Sequence, residues 1–131
     1  MSHALIVIGF ILGLGPITVI DFVGFLGRTS PYWNETAIRV HKVTKRLTWA
    51  GFSIIVLGHL IGDYPWYHFL ILGLIALNAL FLSFYVSPEL LRREKDGRSQ
   101  ELLPLSFQHK VLPSFLLSLV LWWGLLFLVL M

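Results

Sequence analysis

The chain is built from four long apolar runs separated by short polar stretches, with none of the strict alternation that marks a half-buried strand. The runs cover about residues 4–27, 47–62, 67–86 and 111–131. Crossing the hydrocarbon core of a bilayer takes about 20 apolar residues in helical form, so the second run is short as it stands. It is preceded by "TAIRVHKVTKR", which holds neither Pro nor Gly, and Thr36 is placed to cap a helix there. The second helix is therefore expected to be continuous through that segment. Within lipid every backbone N–H and C=O has to be satisfied inside its own segment, which leaves helices as the reading for runs of this length. The pattern predicts one all-α domain over residues 1–131. It is an integral-membrane, four-helix antiparallel bundle with spans at about 4–27, 39–62, 67–87 and 111–131.

Charge gives this bundle a direction. Arg28, Arg39, Lys42, Lys45 and Arg46 lie between the first two apolar runs, and Arg92, Arg93, Lys95, Arg98 and Lys110 between the last two. Those are all ten basic residues of the chain. Cytoplasmic loops carry the excess of Lys and Arg, so both termini and the hairpin around residues 57–70 are expected outside. Only 13% of the residues are charged and 56% are hydrophobic, against about 25% charged in ordinary soluble domains. The expected surroundings are a lipid bilayer, and the expected location is a multi-pass place in a cell membrane, a prokaryotic plasma membrane. The pI near 9.5 follows from the two basic loops, and no nucleic-acid partner is expected. Interleaved acids (Glu35, Glu89, Glu94, Asp96, Glu101) argue against specific lipid recognition by those loops. The sequon at Asn34 falls on the cytoplasmic side and is not expected to carry a glycan. Cysteine is absent, which excludes disulfides, thiolate metal sites and c-type haem attachment. The first 27 residues lack a basic leader and a small-residue cleavage site, so they are expected to be a span and not a signal peptide.

Against this greasy background the polar residues stand out. His59 and His68 flank the hairpin "GHLIGDYPWYH" and are expected at one depth on neighbouring helices, with His3 at a similar level and Asp63 the acid on that face. Imidazoles converging from three helices suit copper or zinc, and two facing one another across the bundle suit a haem iron. Neighbouring helix axes some 8–10 Å apart favour the small ion over a sandwiched haem. The alternative is that these histidines sit in an interfacial belt beside Tyr64, Trp66 and Tyr67 and bind nothing. At the basic end His41 and His109 form a second candidate pair. His41 and His59 are five helical turns apart and share one face of a continuous helix.

Asp21 is the costliest residue in the chain, because an ionisable group inside a span is a functional candidate by default. Lys45 and Arg46 on span two, or Arg28 on its own helix, are the expected partners. The choice is between an ion pair that locks two spans and a proton-relay group. Gly9, Gly13, Gly24 and Gly27 recur at helical spacing and make a smooth stripe for a neighbouring helix. Pro16 is expected to bend span one before Asp21. Asn78 is placed to hydrogen-bond across helices. Trp122, near the midplane, is placed to fill the bundle, line a cofactor or face another subunit.

A histidine at the start of span one (His3), basic residues leading into span two, and Trp66-x-His68 opening span three together form a layout that resembles the small four-span membrane proteins of the HemJ-type protoporphyrinogen oxidase and copper-resistance-D-like kind. Leu70 stands where the HemJ type carries a lysine. The resemblance implies haem b, with His3 matching a haem ligand and Trp66 and His68 matching the Trp-x-His, and a role in electron transfer or porphyrin chemistry. Copper or zinc is the alternative cofactor. Two other functions are compatible with the same residues: a small metal- or proton-coupled transporter using Asp21, and a non-catalytic bundle that assembles as a homo-oligomer or within a larger membrane complex.

Overall fold

In a computed structural model, which describes residues 1–131, the chain is entirely helical and contains no strand. The helices are α1 (Ser2–Gly27), α2 (Pro31–Ile61), α3 (Trp66–Phe81), α4 (Ser87–Lys95) and α5 (Leu105–Leu130). A π-helical stretch, Leu82–Val86, joins α3 to α4 end to end, so Trp66–Lys95 is one rod and the molecule has four in all. Three of them, α1, Trp66–Lys95 and α5, are long and apolar enough to cross a membrane. In α2 the apolar residues are concentrated in the C-terminal half.

Helix boundaries at the basic end differ from the expected ones for local reasons. Thr36 does not cap α2. The helix starts five residues earlier, at Pro31, with the Ser30 hydroxyl accepting from the Trp33 N–H at 3.4 Å. Serine at the cap followed by proline in the first turn is a strong start signal, because proline lacks an N–H that would be unsatisfied there anyway. Thr36, already inside the helix, donates back to the Tyr32 carbonyl at 2.9 Å. The third rod runs on past the expected end at 87 and through Pro88. In an α-helix that ring would collide with the carbonyl four residues back, at Phe84. The turn before it instead widens, with the Ser87 N–H bonded to the Leu82 carbonyl, and the helix continues to Lys95.

The loop after Lys95 folds back onto the start of α2. Asn34, only 4% exposed, donates its amide to the Ser99 carbonyl at 3.0 Å and the Glu101 carbonyl at 2.7 Å. The sequon asparagine thus pins the loop after Lys95 to the first turn of α2. Lys42 and Glu94 pair at 2.9 Å and tie α2 to α4, and that hydrogen bond holds the Glu94 carboxyl below the ordinary glutamate range.

The closest packing is between α1 and α2. A Cβ on Gly51 would meet the Gly13 nitrogen at 2.5 Å and the Gly9 oxygen at 2.6 Å, so the two backbones touch where side chains normally intervene. Gly58 repeats the contact near Ile6 and Gly27 repeats it against Asn34. The expected stripe on α1 therefore has a glycine counterpart on α2. Toward the hairpin end the bundle is filled by Ile6, Phe10, Leu14, Ile55, Leu72, Ile75 and Leu125 around Trp122. Trp122 meets Phe10 and Phe52 edge-on at 6.4 Å, so its role here is bundle filling. α3 is clamped to α5 by a reciprocal pair: Asn78 donates to the Ser114 carbonyl at 3.1 Å, and the Ser114 hydroxyl donates back to the Asn78 oxygen.

Alanine at Gly51 should therefore destabilise the bundle by about 1–3 kcal/mol despite alanine's better helix propensity, because neither opposing backbone can give way. Alanine at Gly73, where an added Cβ meets nothing within 4 Å, should be neutral or stabilise by up to about 1 kcal/mol. Unfolding of both variants in detergent checks the contrast. Equal effects would show that the α1–α2 contact is not limiting.

Candidate functional site

Toward the basic end the same four rods line a half-open cavity of about 100 Å³. A single water needs about 10–15 Å³ on this scale, so the space is large enough for several waters or part of a ligand. Its walls include Ile17, Ile20, Trp49, Leu82, Val86 and Phe115. α2 packs closely on α1 and lightly on α4, but hardly on α3 or the π stretch. The gap is bridged by the Trp49 indole, which donates to the Ser83 hydroxyl at 2.9 Å.

Asp21 stands in the wall of this cavity and is 2% exposed. Neither of its carboxyl oxygens has a hydrogen-bond partner, and the buried Thr48 hydroxyl in the same wall has none either. Ser118 of α5 approaches the carboxyl without completing a hydrogen bond. The expected ion pair is not formed, since none of the molecule's salt bridges includes Asp21. The reason is register. With Gly51 against Gly9 and Gly13, and Gly27 against Asn34, Asp21 comes level with His41, and Lys45 starts one turn deeper. Arg46 is exposed, and Arg28 is exposed with its guanidinium 4.3 Å from the Phe25 ring centre.

Lys45 turns back toward the basic end and donates to the Ser87 hydroxyl at 3.2 Å. The same hydroxyl lies 3.1 Å from His41 Nε2, while His41 Nδ1 lies 2.6 Å from the Ile38 carbonyl. With Nδ1–H donating to that carbonyl, Nε2 accepts from Ser87, and the serine oxygen keeps a lone pair for the ammonium. His41, Lys45 and Ser87 thus form a single hydrogen-bonded line along the cavity. His109 is exposed and takes no part. Thr48, Ser83 and Ser87 were not singled out from the sequence. A usable signal was present for Thr48, because His41, Thr44, Lys45 and Thr48 recur at three- and four-residue spacing and share one face of α2.

At the other end His59 and His68 are buried and in direct contact, with His59 Nε2 3.2 Å from His68 Nδ1. His59 Nδ1 lies 2.9 Å from the Ile55 carbonyl, and the Tyr64 ring centre lies 4.5 Å from His59 and 5.5 Å from His68. With both rings neutral, His59 Nδ1–H donates to Ile55 and His59 Nε2 accepts from His68 Nδ1–H. His3 and Asp63 are both exposed, and no three His, Asp or Glu side chains are placed together to hold a metal ion. Two nitrogens on one tetrahedral zinc with bonds of about 2.0–2.1 Å would sit about 3.3–3.4 Å apart, so the pair is well spaced but short of the three or four protein ligands such sites use. For haem the pair does not fit, since two imidazoles in contact leave no room for a porphyrin plane between them.

No family model, curated protein or solved structure matches this chain.

Replacing either histidine of the hairpin by phenylalanine leaves a buried ring nitrogen of the other unpaired and should cost about 1–3 kcal/mol. The double replacement should cost less than the sum, with a coupling of about 0.5–3 kcal/mol. Melting of the four proteins in detergent measures this, and strict additivity would mean that the contact contributes nothing.

Proposed function

We propose that the chain is a four-span membrane bundle that works as a small proton-coupled transporter, with Asp21 as the proton-carrying group. The supporting observation is the burial of Asp21 in a cavity wall with both carboxyl oxygens unpartnered. An ionised carboxylate there would lose its hydration without compensation, at a cost of several kcal/mol. The neutral acid is the form suited to the closed state. Ionisation then requires that water enter the cavity, which links proton release to hydration of the site. The packed apolar half around Trp122 separates Asp21 from the hairpin end. The carboxyl therefore exchanges protons from the basic end alone in this conformation, as alternating access requires of one of its states. Haem-based electron transfer is the second reading, with a single hairpin histidine as a ligand, since His59 and His68 in contact leave no room for a porphyrin between them.

A hydrophobic carbodiimide, which modifies protonated carboxyls in apolar surroundings, should label Asp21 and lose its effect as the pH rises. Asp21→Asn should abolish both the labelling and proton uptake by reconstituted liposomes. Failure to label at acid pH, with the fold intact, would eliminate Asp21 as a proton carrier.

In the proposed topology the C-terminal half of α2 supplies the fourth span, both termini face outward, and the ten basic residues share the cytoplasmic end. The cysteine-free sequence makes this simple to check. Single cysteines at Met131 and at Gly97 should react with an impermeant maleimide from outside and inside respectively. A Met131 site that labels only from inside overturns the orientation.

A further inference from the structure

We infer that the cavity receives the carboxylate end of a single-chain anionic amphiphile, a free fatty acid, and that this is the solute whose binding is linked to Asp21. The inference rests on the transporter reading above and names its substrate class. It starts from a mismatch between the walls and the charge. The cavity surface is almost wholly apolar, with Ile17, Ile20, Leu82, Val86 and Phe115 in its walls, and offers nothing to a small polar solute. Yet Lys45 is also part of the wall, with its ammonium beside Ser87. Its ammonium has three N–H donors and makes one hydrogen bond, to Ser87. Two donors are free to bind an anion.

A ligand complementary to both features has a compact anionic head and an apolar body. A carboxylate oxygen fits best. It would take the free N–H groups of Lys45 in a charge-assisted bond, the stronger kind of hydrogen bond. The chain would then lie along the apolar wall. The space is too small for a whole acyl chain, but α2 hardly packs on α3 and the π stretch. The tail can leave through that gap into the surrounding hydrocarbon, passing Trp49. Asp21 completes the coupling. Two carboxylates sharing one apolar cavity cannot both stay ionised, so an anionic ligand favours the protonated form of Asp21. One proton is then held for each fatty-acid anion bound, and the complex of ligand, Lys45 and neutral Asp21 carries no net charge.

The test uses the full chain in detergent, with quenching of tryptophan fluorescence by dibromostearate. The free acid should quench saturably and about tenfold more tightly than its methyl ester, the advantage expected for a hydrogen bond to a charged group. Lys45→Met should reduce the acid to the level of the ester, and Trp49→Phe should remove most of the saturable signal. Should Lys45→Met fail to fold, competition on the wild-type protein decides: unlabelled stearate should displace the quencher and stearyl alcohol should not. Asp21→Asn, which mimics the neutral acid, should keep binding while losing proton uptake, so loss of the ligand proposal and loss of the proton proposal give different results. Equal quenching by acid and ester, indifferent to Lys45 and to stearate, would mean ordinary lipid contact and overturns the inference.

Discussion

Contact between the α1 and α2 backbones at Gly9, Gly13 and Gly51 governs the rest of the molecule. In the proposed membrane setting no hydrophobic force would hold helices together, and they would associate through close packing and hydrogen bonds. Removing side chains from both partners lets the helices meet at the shortest distance available to them. It also sets the relative height of everything they carry. Asp21 comes opposite His41 because Gly51 lies where it does, and Lys45 then has to bend back to reach the polar end.

A second consequence concerns how the interior is divided. α1 and α2 form a tight pair, and α5 joins the Trp66–Lys95 rod to it through Trp122, Asn78 and Ser114. Toward the hairpin the apolar side chains around Trp122 fill the bundle. Toward the basic end the glycine contact holds α2 against α1 and α4 meets α2, while α3 and the π stretch hardly touch it, and the unfilled volume between them becomes the cavity. Polar side chains are tolerated around it where they bond one another, as His41, Ser87 and Lys45 do. Asp21 and Thr48 are exceptions. Leaving a buried acceptor without a partner costs about 1–3 kcal/mol, a penalty that a purely architectural residue would have little reason to retain.

Much of this was legible in the sequence. The lengths of the apolar runs determined the number of rods, and the hairpin spacing brought His59 and His68 level. The α1 glycine stripe and the cross-helix role of Asn78 followed from position alone. The partner of Asp21 did not. Depth counted from the ends of two helices is good only to about a turn, and a register set by Gly51 and Asn34 moved Lys45 out of reach. The π stretch was equally hidden, since Pro88 signals a boundary in most helices and here sits inside a longer one. The chemistry of the hairpin histidines was also out of reach. Equal depth is common to a metal site, a haem site and a hydrogen-bonded pair, and only the nitrogen-to-nitrogen contact separates them.

The π stretch has one more implication. Its wide turn inserts a single residue into the winding of the rod, and one residue is about 100° of rotation. It is a phase slip in a screw. Pro88 holds the slip where it is, because an α-helical turn before it would drive its ring into the Phe84 carbonyl. The rotation the slip adds is what turns Ser83 to Trp49 and Ser87 to His41 on the same rod. The polar wall of the cavity is thus a product of one proline lying outside it.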